Sequence, residues 1–262
     1  MAWVESASRS FRARHESACG DDAERVLYSL ERTREQLADY FTVSVIGLTV
    51  VLHGSPASLA LARPVVPLAW LATAPAARRY VAGWAGRDEL HMLEPTALEQ
   101  RASAVPGSRE MLAQTPCALY ARRVIEQNNG DLSRRRTPRR IAHELSWAWL
   151  LEGAARWFSG QTEYSRPAIA RRLREGGRPA FPPGVRDAVL LGGTVIDLLA
   201  REEGVQTAAE FACRLHPRGS RAALTQAFAG RPFSRSEDAW RGHLKRIAAE
   251  SPADEDRYAP TR

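Results

Sequence analysis

Sequence of β character is confined to the first 93 residues of this 262-residue chain; from there to residue 250 apolar side chains recur at helical spacing. A chain divided in this way is not built of alternating strand and helix along its whole length. It is expected to form one small sheet early and to complete its core with helices, an α+β fold.

Within the first part, SFRARHE (residues 10–16) alternates in polarity and predicts a short strand. Asp21 or Asp22 then caps a helix whose apolar residues Val26, Leu27, Leu30, Leu37 and Phe41 lie at helical spacing, ending near Tyr40. VSVIGLTVVLH (43–53) is short and β-branched, which favours a buried strand. Gly54 to Pro56 offers a cap and first turn for SPASLALAR, and RRYVAGWAG and ELHML, joined by a Gly-Arg-Asp turn, predict a hairpin.

In the second part Thr96 and Glu99 fit a capping box, and Ser108 can cap a helix that runs to Asn128, Asn129 and Gly130, kinked or split at Pro116. Thr137 and Pro138 open the next helix, and further helices are expected over SRPAIARRLRE, PGVRDAVLLGGTVIDLLAREEG, TAAEFACRL, SRAALTQAF and SEDAWRGHLKRIAAE. Gly192-Gly193 has neither the strand nor the lysine of a phosphate loop and suits close helix packing. No repeat or long linker divides the chain. A single domain over 1–250 is expected, with a sheet-containing part (1–93), a helical part (94–250) and a loosely ordered tail (251–262).

Composition excludes some classes. No stretch reaches the run of about 18 apolar residues that spans a bilayer, and the first 15 residues lack a secretory apolar run, so a cytoplasmic protein with no membrane partner is expected. Cys19, Cys117 and Cys213 are far apart and odd in number, which argues against a disulfide framework. The net charge of +7 points towards anionic partners, but Lys245 is the only lysine in an arginine- and alanine-rich chain, the bias of a GC-rich genome. The densest cluster, Arg134, Arg135, Arg136, Arg139 and Arg140, has no interleaved aromatic residues, which argues against nucleic acid as a partner.

One stretch carries possible chemistry: HELSWAWLLEGAARWFSGQ (143–161). Two histidines four apart on a helix can hold one zinc ion while the intervening glutamate activates a bound water. His143 and Glu144 take the first two places of that pattern, but Trp147 holds the third, and an indole offers only an N–H donor. Glu152 cannot substitute from the same helix, because nine residues at about 100° each turn it to the far side from His143. Only a break in the helix would bring both to one ion. The remaining histidines, His15, His53, His91, His216 and His243, are scattered.

The segment Trp149 to Gly160 resembles the Trp-Leu-x-Glu-Gly-x-Ala stretch of the gluzincin (thermolysin-like) zinc metallopeptidases, in particular the peptidase MA-like families, at Trp149, Leu150, Glu152, Gly153 and Ala155. LLGGTVIDLLAREEG downstream, the run to Trp240 and Arg241, and the order LTVVLH, YVAGWAG, ELHML upstream are similar to those families too. The resemblance implies a peptidase-like α+β fold with Glu152 in the place of the third zinc ligand. It also implies a zinc helix some twenty to thirty residues earlier, over residues 109–129, which contain no histidine; candidates there are Pro116, Cys117, Tyr120, Ala121 and Val124. The expectation is therefore a non-catalytic homologue, a pseudoenzyme without cofactor, with Trp147, Trp149 and Glu152 lining a degenerate cleft for a peptide or protein. The alternative is an active zinc peptidase in which His143 and Glu152 bind zinc and Glu144 is the base; a second is an arginine-rich nucleic-acid binder.

Overall fold

The computed structural model describes residues 2–132, 138–176 and 178–250. Five strands form one mixed sheet at the N-terminal end: β1 (Trp3–Ala7), β2 (Phe11–Glu16), β3 (Leu48–His53), β4 (Gly83–Ala85) and β5 (Glu89–Leu93). Their order is β1-β2-β3-β5-β4, with the three central strands parallel and the two edge strands antiparallel to their neighbours. Helix α1 (Gly20–Ala38) connects β2 to β3, while α2 (Pro56–Ala62), α3 (Val65–Ala72) and α4 (Pro75–Arg78) lie between β3 and β4. The α+β class is thus as expected from the sequence, with one small early sheet and a helical remainder.

Alternation decides which way each strand faces. Phe11, Ala13 and His15 of β2, Leu48, Val50 and Leu52 of β3, and Leu90 and Met92 of β5 are buried on one face. Against that face pack α1 and α7 (Thr115–Asn128), with Phe11 edge-on to Tyr120 at 5.2 Å. Helix α2 covers part of the other face, where Val51, His53 and His91 sit.

The remaining helices are α5 (Pro95–Arg101), α6 (Ser108–Ala113), α8 (Pro138–Ser146), α9 (Ala148–Phe158), α10 (Arg166–Arg174), α11 (Val185–Glu203), α12 (Val205–Ala212), α13 (Ser220–Ala227) and α14 (Phe233–Ala249). The closest pairing joins α9 to α11. A Cβ on Gly153 would lie 2.3 Å from the Gly192 carbonyl carbon, one on Gly192 would lie 2.4 Å from the Trp149 oxygen, and one on Gly193 would lie 2.2 Å from Thr162 Oγ1. The Gly192-Gly193 pair is a packing device, and Gly153 is its partner.

Several local expectations need correction. Residues 3–7 form an edge strand that the sequence reading left out; its pattern is mostly exposed, so no buried periodicity marks it. Thr96 does not cap α5, whose N-cap is Glu94; its hydroxyl donates instead to Asp22. Ser108 opens α6 behind Gly107, whose φ of 77° places it in the left-handed region. The segment before Gly47 belongs to no strand, so β3 is only the second half of the β-branched run. The break at Pro116 is real: α6 ends at Ala113 and α7 starts at Thr115 with the proline in its first turn. A second break, at Trp147 (φ −105°, ψ 8°), divides the single helix expected to start at Thr137 and Pro138 and to carry residues 143–161 into α8 and α9. Among the described residues no helix is long and apolar enough to cross a membrane.

Candidate functional site

Helix α9 lies between α7 and α11, and Glu152 leaves it on the side of α7. There it meets Arg122, whose Nη1 donates to Glu152 Oε1 at 2.6 Å while its Nε donates to Glu126 Oε1 at 2.6 Å. Arg122 and Glu126 are four apart on α7 and therefore share a face. One guanidinium thus fills the space between two carboxylates from two helices. Arg123 holds the other oxygen of Glu126 at 3.0 Å and also donates to the Arg87 carbonyl, tying the cluster to the β4–β5 turn. Arg156, one turn beyond Glu152, brings its Nη2 within 3.8 Å of Glu152 and donates to the Tyr80 carbonyl; a further bond joins it to Gln161.

The electrostatics follow from burial and neighbours. Burial pulls the Arg122 guanidinium down, but the charges of Glu126, Glu152 and Glu144, with the Glu126 hydrogen bond, outweigh it and hold Arg122 above its ordinary value. Arg156 is held below its ordinary value by burial, with Arg122 opposing its charge, although Glu152 favours it. Arg156 Nε is also buried without a partner. Glu152 therefore separates two arginines that would otherwise repel.

The residues expected to line a cleft are distributed differently. Trp147 and Trp149 are 1 % and 2 % exposed and stack on each other at 6.2 Å, so both belong to the core instead of a cleft wall. A cavity of about 310 Å³ lined by Trp157, Asp197 and His243, and another of about 530 Å³ beside Phe11 and Arg34, both lie away from Glu152. The break at Trp147 does not bring His143 to Glu152: His143 is exposed and lies edge-on to Trp147 at 6.4 Å, while Glu152 is engaged by arginines. Among the described residues no group of three or more His, Cys, Asp or Glu is placed to hold a metal ion. Of the candidates at 109–129, Cys117, Tyr120, Ala121 and Val124 are buried packing residues, and Pro116 sits in the first turn of α7. Arg122 meets Glu152 and is itself paired with Glu126, and sequence reasoning passed over both in searching for imidazoles. Their i, i+4 spacing, and the placement of α7 before the Glu152 helix, were the available signal. Arg134, Arg135 and Arg136 lie outside the described residues, as do the side chains of Arg139 and Arg140.

A second polar cluster occupies the α2-covered face of the sheet. His53 Nε2 lies 3.0 Å from His91 Nδ1, and His91 Nε2 is 3.0 Å from Glu89 and 2.6 Å from Arg63 Nη2. Burial, then the neighbouring His91 and Arg63, push His53 down to about 4; burial foremost, with Arg63 and Arg14, also lowers His91. Both histidines are thus neutral in the folded protein at a pH where the unfolded chain is already taking up protons. Their stabilising effect is complete above about pH 6.5 and is lost as pH falls towards 4. The loss expected from His53 is about 3 kcal/mol across that interval. Urea denaturation at a series of pH values checks it, and the acid-side slope should flatten in His53→Gln.

No family model, curated protein or solved structure matches this chain.

Proposed function

We propose that this protein is a non-catalytic relative of the gluzincin zinc metallopeptidases, in which an arginine guanidinium occupies the place of the metal ion. The observation that supports this reading is that Arg122 bridges Glu152 of α9 and Glu126 of α7. Glu152 is the residue that resembles the family's third zinc ligand, and α7, packed against its helix, brings Arg122 to its carboxylate and carries Glu126 four residues on, bound to the same guanidinium. Arg122, Arg123 and Glu126 therefore stand in the places of the first ligand, the base and the second ligand of His-Glu-x-x-His.

The donor set does not fit zinc. A guanidinium stays protonated and has no lone pair to give, so the cluster offers only two carboxylates, both already paired. Arg123 in the place of the base cannot accept a proton from water. Ligand and base are lost together, while charge balance is kept: the carboxylates still surround a cation, one that is covalently part of the chain. The cation now joins α7 to α9 and exposes no open coordination position at which water could be activated.

The test is elemental analysis and zinc titration of the purified protein beside Glu152→Ala. No stoichiometric zinc is expected in either, and zinc should not raise the melting temperature of one more than the other. One equivalent of zinc, retained by the wild type and lost with Glu152, would overturn the proposal.

A further inference from the structure

Between Ser55 and Ala77 the chain carries a single charged residue, Arg63, and this one is turned towards Glu89 and His91 at 2.7 and 2.6 Å. Helices α2 and α3 fall within this stretch. Leu61 is 86 % exposed, Leu68 64 % and Leu71 75 %, and Ala57, Ala62, Pro64 and Ala72 are exposed with them. A helix that is apolar on every side is normally buried on every side. Here one side of α2 faces the sheet and the rest is open.

The border of this surface is basic. The Arg101 guanidinium lies 5.2 Å from the ring of Trp70, a half-buried residue of α3 whose indole N–H is tied to the Val81 carbonyl. Arg101 also donates to the carbonyls of Arg79 and Arg78, and Arg79 donates back to the Arg101 carbonyl, which brings these arginines together at one edge. Arg186 joins them from α11, its carbonyl accepting from the Ala74 N–H beside α4. Among the described residues none of Arg78, Arg79, Arg101 and Arg186 is in an ion pair; Arg78 and Arg186 are exposed, and Arg79 and Arg101, half-buried, differ in this from paired half-buried arginines such as Arg63, Arg122 and Arg241.

We propose that α2 and α3 dock on the surface of an anionic phospholipid bilayer, with Leu61, Leu68 and Leu71 entering the apolar boundary and Arg78, Arg79, Arg101 and Arg186 meeting the phosphates. Charge complementarity selects this occupant. A second copy of the chain would bring the same arginines to the border, like charge against like. A lipid surface supplies apolar depth and negative charge in one plane, with Trp70 at their junction, as aromatic residues sit at membrane interfaces. The helices lie on the bilayer and do not cross it, in keeping with their length. This inference is independent of the metallopeptidase relationship.

The test is co-sedimentation of the full chain with vesicles of equal parts phosphatidylglycerol and phosphatidylcholine, and with vesicles of phosphatidylcholine alone. Binding is expected to be at least about tenfold stronger with the anionic vesicles and to weaken as salt is raised. The variant Leu61→Glu/Leu68→Glu/Leu71→Glu should lose it by about tenfold or more, and Arg78→Glu/Arg186→Glu should lose the preference for anionic lipid. All five side chains are exposed, so unchanged melting temperatures are expected and confirm that the variants fold. Equal or absent binding to both vesicles, or binding indifferent to the leucine variant, overturns the proposal. So does light scattering that shows a dimer dissociated by that variant, since a second copy would then be the occupant.

Discussion

Gly192→Ala is expected to lower the stability of this protein by about 3 kcal/mol, opposite in sign to what helix propensity alone predicts. Alanine in the interior of a helix is favoured over glycine by about 1 kcal/mol, so a gain would follow if Gly192 faced open space. It faces backbone instead: its added Cβ would stand 2.4 Å from the Trp149 oxygen and 3.0 Å from Gly153 Cα. Backbone cannot swing aside as a side chain can, so α9 and α11 must separate and part of the core around Leu150, Leu191 and Val195 must open. Gly242→Ala is the matched control, since it lies inside α14 with nothing within 4 Å of the added Cβ and should stabilise by about 0.5–1 kcal/mol. Urea denaturation of the two variants reads the difference directly; equal effects would show that the close approach of α9 and α11 is wrong.

The second large effect is expected at Glu152. Its removal leaves Arg122 with Glu126 alone and leaves Arg156, 10 % exposed, with no carboxylate opposite it, so two arginines of like charge face each other across α7 and α9. Breaking a buried pair from one side costs about 3–5 kcal/mol. Glu152 is 35 % exposed and water relieves part of that penalty, so Glu152→Ala is expected to cost about 2 kcal/mol. Arg156→Met in the Glu152→Ala background should recover part of it by removing the repulsion, and thermal denaturation of the single and double variants measures the coupling. A double variant no more stable than Glu152→Ala would mean that Arg156 does not depend on this carboxylate.

Much of the fold was legible because it rests on periodicity that a single element reveals by itself. The alternating burial of β2, the long apolar row of α11 and the proline-marked start of α7 are local signals that tertiary contacts only confirm. Strand β1 was not legible, since an edge strand held by β2 and largely exposed has no apolar alternation. Thr96 misled because a capping-box spacing recurs inside helices, and here its hydroxyl found Asp22. For the site, the sequence singled out Glu152 and the segment 109–129, and in the structure α7, within that segment, packs on α9 with Arg122 against Glu152. What could not be read was the partner. A search for lone-pair donors overlooks a guanidinium, and pairing across 30 positions depends on how α7 and α9 are rotated against each other, which no local pattern records.

The central claim is that Arg122 and Glu126 hold the two ligand positions of a zinc helix, with Glu152 as the third. Arg122→His combined with Glu126→His would then set two imidazoles four apart on α7 opposite the Glu152 carboxylate, the His₂Glu set of a zinc site. The deciding measurement is zinc titration of this double variant by calorimetry, alongside the wild type and the same variant carrying Glu152→Ala. The account predicts one zinc per chain at submicromolar affinity in the double variant, none in the wild type, and at least about a tenfold loss when Glu152 is removed. A folded double variant that takes up no zinc, or takes it up equally well without Glu152, would contradict it.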